Sequence, residues 1–193
     1  MMANIKSMTQ DDILKLKAVA LYIINKCKGI DYFHLFKIIY FADREHYAVY
    51  GRRIIQDTFC AFKNGPVPSN LYNAIKDATG KEKLRDTSLQ VISNSIEAND
   101  PDYDYIITAK EEPDMEELSK SDIEMLDRSI DENLTLPFHV LSEKSHDIAW
   151  QTANDKHHNS EMDPLLMAKA AGASDATMDF IHENEELNKI LNS

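Results

Sequence analysis

Between residues 35 and 49 the chain sets Leu35, Ile38, Ile39, Ala42, His46 and Val49 at helical spacing, with Phe36, Tyr40 and Tyr47 running beside them on a second face. A helix apolar on two faces does not lie on a surface; it passes between other elements. Gly51 ends it, because the left-handed cap position strains any residue with a Cβ. This segment, residues 32 to 50, is therefore expected at the centre of the fold.

After Gly51 the period changes. Thr58 to Lys63 alternates Phe59 and Ala61 against Cys60 and Phe62, which predicts a short strand covered on both sides. Asn64-Gly65-Pro66-Val67-Pro68 must be extended or turned, since each proline disfavours helix in the residue before it and lacks a backbone donor. Pro68 or Ser69 opens a helix with Leu71, Ala74, Ile75 and Ala78 inside, ended by Gly80. Arg52 to Gln56 either pairs with the strand or is an extended lead-in.

Upstream, Thr9 and Asp12 form a capping-box pair ahead of a helix carrying Ile13, Leu16, Ala20, Ile24 and Cys27 on one stripe. Lys26, Lys28 and Gly29 close it, and Asp31 caps the central helix almost at once. The short connection makes the two neighbours. Downstream, Leu89, Val91 and Ile92 suggest one short strand and Tyr103 to Thr108 another, with an acidic loop at Glu111 to Glu117. Ser119, or Ser121 with Glu124, starts a helix with Ile123, Leu126 and Ile130 inside. Thr135 caps another, with Phe138, Leu141 and His139 inward, and a helix from Glu143 to Ala153 sets His146 and Trp150 on one face. The fold class expected is α+β, predominantly helical, with a central buried helix and a small two- or three-stranded sheet.

Three blocks of this sequence together resemble one family. Tyr40-Phe41-Ala42-Asp43 with His46 and Tyr50-Gly51, then Ala61-Phe62-Lys63-Asn64-Gly65-Pro66-Val67-Pro68, then Leu141-Ser142, Ser145-His146 and Ala149-Trp150, look like the Panacea antitoxin domain of SocA-like and GepA-like phage-associated proteins. They stand in the family's order. The resemblance assigns residues 1 to 155 to that domain and leaves 156 to 193 as a helical extension, docked on the domain, a second protomer or a partner. It implies a bacterial or phage antitoxin that binds a cognate protein toxin directly, or a proteolytic adaptor delivering the toxin to a AAA+ protease. No catalytic activity and no cofactor come with it. The residues it marks as motif and candidate partner contacts are Tyr40, Asp43, Arg44, His46, Lys63, Gly65, Pro66, Pro68, His146 and Trp150.

The residues themselves leave one enzymatic reading open. Asp43 and His46 share a helix face, and with His146 they would make a zinc set or an acid/base pair of a metal-dependent hydrolase. A buried aspartate and histidine hydrogen-bonded within the core is the structural alternative. Arg44 could fork onto a carboxylate inside the domain, or face outward among Tyr47, Tyr50 and Trp150 as a binding hot spot. Gly65-Pro66-Val67-Pro68 lacks the glycine spacing and the Lys-Ser/Thr of a phosphate loop and reads as rigid turn chemistry. Ser145 and His146 are adjacent and so turned apart on a helix, which is no nucleophile and base.

Charge narrows the partners. The net charge of -12 hides an asymmetry: residues 1 to 85 hold 14 Lys+Arg against 8 Asp+Glu, and the rest hold 7 against 25. An acidic chain is a poor general nucleic-acid ligand, because phosphate contacts supply most non-specific affinity; its acidic half suits a basic partner, or simply keeps helices soluble. No apolar run approaches the ~18 residues of a membrane span, and MMANIKSMTQDD has no apolar stretch behind its lysine. Cys27 and Cys60 are too few for a disulfide framework and suit buried free thiols in a reducing cytoplasm.

Overall fold

In the computed structural model, which describes residues 8–98 and 105–191, the capping box predicted at Thr9 and Asp12 is formed and opens α1 (Gln10–Cys27). Ile13, Leu16, Val19, Leu21, Ile23 and Ile24 are buried along it. Lys28, not Gly29, takes the left-handed cap at φ 55°. After the two-residue strand β1 (Ile30–Asp31), the Asp31 carboxylate accepts the His34 amide and starts α2 (Tyr32–Tyr50), which Gly51 ends at φ 63°.

The central helix is as deeply enclosed as its two apolar faces require. Every residue from Leu35 to Asp43 is buried, and α5 (Lys120–Asn133) lies along much of its length. Each fully buried Leu, Ile or Phe contributes roughly 1.5–3 kcal/mol to that packing. Val49 departs from the expectation. It is 57 % exposed, because the helix end emerges from the core there.

Among the described residues the expected small sheet is two separate ones. In the first, β1 pairs with β5 (Ile106–Ala109), which pairs with β4 (Ile96–Glu97), all antiparallel. In the second, β2 (Phe59–Phe62) and β3 (Gly65–Pro68) form a hairpin about Lys63-Asn64, so Gly-Pro-Val-Pro is itself a strand. The register explains how: Gly65, Val67 and Ser69 alternate with the prolines, and Ser69 N donates to the Thr58 carbonyl at 2.9 Å. The prolines occupy the positions that owe no ladder bond. Residues 160 to 162 pair with the other edge of β2, with Ala61 N on Ser160 O and Met162 N on Phe59 O, both at 2.8 Å. Residues 52 to 56 form no strand.

Other boundaries also moved. Asp57, wholly buried, accepts the Asn70 and Leu71 amides and caps α3 (Ser69–Ala78) from a distance, since Pro68 has no side-chain donor or acceptor to do so. Leu89 to Ile92 is helical: a 3-10 turn (Thr87–Leu89) runs into α4 (Gln90–Ser93), and the i, i+3 pair Leu89 and Ile92 faces the core. The start of the strand at Tyr103 lies outside the described residues. Ser119 with Asp122 makes the capping box of α5. α6 (Phe138–Ser145) begins after Pro137, not from a Thr135 cap, and it leaves Phe138 and His139 exposed while burying Leu141. The helix expected from Glu143 to Ala153 is broken at His146, and Asp147 caps a new one, α7 (Ile148–Asn154).

The extension packs on the same core. Asp163 caps α8 (Pro164–Ala170), whose Met167 joins the main core while Ala168 meets Tyr47 and Ile181. Ser174 caps α9 (Asp175–Leu191) by accepting the Thr177 amide. Phe180 of α9 lies where a Cβ on Gly51 would stand, so that glycine meets both a backbone and a packing need. Leu187 is 55 % exposed, and the side chains of Ile190 and Leu191 lie outside the described residues. No helix among the described residues is long and apolar enough to cross a membrane. Cys27 and Cys60 are free and half-buried, and burial raises both thiols, Cys60 to about 11.

Candidate functional site

The three sequence blocks converge where α2, the β2–β3 hairpin and the α6–α7 corner meet, and a set of buried polar locks holds them there. The first centres on Asp147. Its Oδ1 accepts the Ala149 and Trp150 amides, capping α7, and its Oδ2 accepts the Tyr40 hydroxyl at 2.7 Å and an Arg44 N–H. Tyr40 is wholly buried, and burial first, then the Asp147 carboxylate, raises its pKa strongly. Arg44 faces inward, over the Phe41 ring at 4.8 Å, so its role is architectural.

Trp150 forms the second lock. Its Nε1 donates to the Phe62 carbonyl at 2.9 Å, and the His146 ring stacks on its indole at 3.6 Å. This contact does not come from one helix face. The break between α6 and α7 folds His146 back over Trp150. Burial, then the nearby Lys37 ammonium, lowers the His146 pKa.

The third lock was not foreseen. Lys37, in the middle of the apolar helix, is 1 % exposed and donates from Nζ to the Pro66 carbonyl at 2.8 Å. Gly65 stands beside it at φ 106°, and a Cβ there would lie 2.2 Å from Ser145 Oγ and 2.7 Å from Lys37 Nζ. The glycine is thus required by the close approach of α2 and α6 as well as by its backbone. Pro68 occupies the N-cap of α3 and is buried, as is Pro66. One signal for Lys37 was available: Phe33, Phe36, Tyr40 and Phe41 surround it at i−4, i−1, i+3 and i+4, leaving no polar stripe for its ammonium.

Asp43 and His46 belong to other locks. Asp43 accepts the Ile54 and Ile55 amides at 2.7 and 3.1 Å and pairs with Arg53 at 2.7 Å, fixing the run after Gly51. His46 Nδ1 donates to the Arg52 carbonyl at 2.7 Å, leaving Nε2 to accept from Ser121 Oγ at 3.0 Å. Beside it the buried Asp122 carboxylate takes Arg52 and Lys15; burial pushes its pKa up, and Lys15 with the Ser119 donors more than reverses that, holding it low. Burial lowers the His46 pKa.

The zinc set weighed from sequence is not assembled. His146 sits on Trp150 while Asp43 and His46 are spent on backbone groups, Arg53 and Ser121, and no three His, Cys, Asp or Glu among the described residues are placed to hold a metal ion. Tyr40, Asp43, His46, Gly65, Pro66 and Pro68 are buried and Arg44 is nearly so; these side chains shape a surface from beneath and do not present themselves to a partner. Lys63 is exposed, and His146 and Trp150 are half-buried.

On the outer side of the hairpin lies an open cleft of about 160 Å³ walled by Tyr32, Phe33, Phe36, Phe62, Val67 and Tyr72, with Lys37, Lys63, Asn64 and Gly65 completing it. A larger hollow of about 410 Å³ beside α3 mixes Lys76, Lys83 and Arg85 with Glu82 and Asp86.

A family model for the antitoxin SocA-like, Panacea domain matches residues 35–151, more than half of the chain. No characterised protein and no solved structure matches.

Proposed function

Because the chain belongs to the SocA-like Panacea family of antitoxins, we propose that it neutralises a cognate protein toxin by direct contact, in the cytoplasm. The observation that carries this reading is the span of the family match, from Leu35 at the start of the buried helix to Gln151 in α7, which takes in all three locks at the hairpin. Polar motif residues that close on one another make a rigid scaffold, and rigidity in the free state lowers the cost of binding. Residues 1 to 155 are the binding domain in this reading. In this reading α8 and α9 brace α2 from its C-terminal end.

The experiment is co-expression with the toxin encoded beside this chain. Rescue of growth, a complex that copurifies and an unchanged amount of toxin are the expected results. Rescue accompanied by a fall in toxin, dependent on a AAA+ protease, would replace contact with delivery. Absence of both complex and rescue would end the reading.

A further inference from the structure

Lys15, Arg44 and Arg53 are mostly enclosed cations, and each faces a carboxylate: Asp122, Asp147 and Asp43. Lys37 is buried more completely than any of them, yet among the described residues no carboxylate stands within ion-pair distance. Its Nζ has the Pro66 carbonyl at 2.8 Å and the face of Phe33 at 4.9 Å. An ammonium has three protons to donate, and a buried one without an anion is costly.

Lys37 is also part of the aromatic cleft, whose ten lining residues include two lysines and neither Asp nor Glu. In a chain with 33 acidic residues against 21 basic ones, that local composition is selective. Tyr32, Phe33, Phe62, Val67 and Tyr72 are each only half-buried, and Phe138, half exposed, stacks on Phe33 at 4.1 Å. Half-buried aromatic walls, with exposed Lys63 and the buried Lys37 side chain among the lining, match an anchor-and-charge contact.

We propose that this cleft is a docking site for a polypeptide segment of the partner in which a large apolar side chain adjoins an aspartate or glutamate, the ring filling the aromatic walls and the carboxylate meeting Lys37 and Lys63. Burial lowers Lys37 to about 7, and an arriving carboxylate would restore its charge. As the toxin-contact surface, the assignment rests on the antitoxin reading above; as a peptide site, it does not.

The test uses the full chain and two blocked dipeptides, acetyl-Phe-Asp-amide and its neutral isostere acetyl-Phe-Asn-amide, followed by amide NMR titration and by the Lys37 Nζ resonance. The acidic peptide is expected to shift Phe62, Gly65, Val67 and Tyr72 saturably, at least tenfold more tightly than the neutral one, and to raise the Lys37 pKa by a unit or more. In Lys37→Met that preference disappears. Equal affinity for the two peptides, shifts elsewhere, or tighter binding of a ten-residue oligothymidine at the same resonances overturns the proposal.

A second arm uses Val67→Asp, which sets a like charge in the cleft, checked for folding by its melting curve. Loss of toxin copurification from a folded Val67→Asp chain supports the cleft as the contact. Undiminished copurification removes the cleft and leaves the antitoxin reading standing. A wild-type chain that binds the acidic peptide but no toxin supports the cleft and ends the antitoxin reading.

Discussion

Trp150 Nε1 donates to the carbonyl of Phe62 at 2.9 Å, tying the α6–α7 corner to the last residue of β2. Lys37 holds the opposite strand of the same hairpin through Pro66. The hairpin is thus gripped once on each strand, by groups separated by more than a hundred residues in sequence.

Replacing Asp147 tests that grip. Asp147→Ala removes the α7 cap and strands Arg44 and Tyr40 without their acceptor, and losing one partner of a buried pair costs about 3–5 kcal/mol. Asp147→Asn keeps an acceptor for the Ala149 and Trp150 amides and should lose less. Urea denaturation of the two variants gives the order.

Gly65→Ala adds a methyl group against Ser145 Oγ and Lys37 Nζ at a positive φ. Overpacking and left-handed strain together predict a loss of about 2–4 kcal/mol. In a Ser145→Ala background part of the loss should return, because the nearer atom is gone. A double-mutant cycle by thermal or urea unfolding measures the recovery.

Burial holds Lys37 down to about 7, against 10.5 for an unhindered lysine. Between those values the unfolded chain binds a proton that the folded chain does not, so this group's stability contribution rises as pH climbs above 7. Below 7 the burial cost is present in full, on the order of 5 kcal/mol. Lys37→Met should therefore flatten the rise in stability between pH 7 and 9, read as the difference between the two urea curves.

Two histidines should titrate in opposite directions. The Asp31 carboxylate, followed by the weaker opposing effect of burial, leaves His34 raised above 6.5; its stabilisation is complete below 6.5 and fades as pH rises through its folded pKa. Burial leaves His46 below 6.5, so its contribution is present above 6.5 and is lost as pH falls through its folded pKa. Histidine ring NMR should find the two midpoints on either side of 6.5.

What the sequence disclosed was whatever is settled by neighbours along the chain. The Thr9 and Asp12 capping box, the Asp31 cap, Gly51 and the two-faced helix each need only a turn or two of context, and each is where its pattern placed it. Leu89 to Ile92, expected as a strand, is helical, and a run that short satisfies strand and helix periods alike. The strand at Gly65–Pro68 was hidden because prolines argue against pairing until the register shows that they owe no bonds. Asp57 and Asp147 act on partners distant in sequence, and the lack of a counter-charge for Lys37 among the described residues is a matter of tertiary packing, although the aromatic residues around it on the helix mark its burial. Tyr40, Gly65, Pro66, His146 and Trp150, named from the sequence as motif and candidate contact residues, lie around the hairpin and the α6–α7 corner, where Tyr40, Gly65 and Pro66 are buried and His146 stacks on Trp150.

The measurement that bears most directly on the central claim is the affinity of the purified full chain for the toxin encoded beside it, by calorimetry, with toxin quantity followed in cells. The account predicts a stable complex, weakened at least tenfold in Val67→Asp, and an undiminished amount of toxin while growth is restored. No heat of binding, together with growth still arrested, would contradict it.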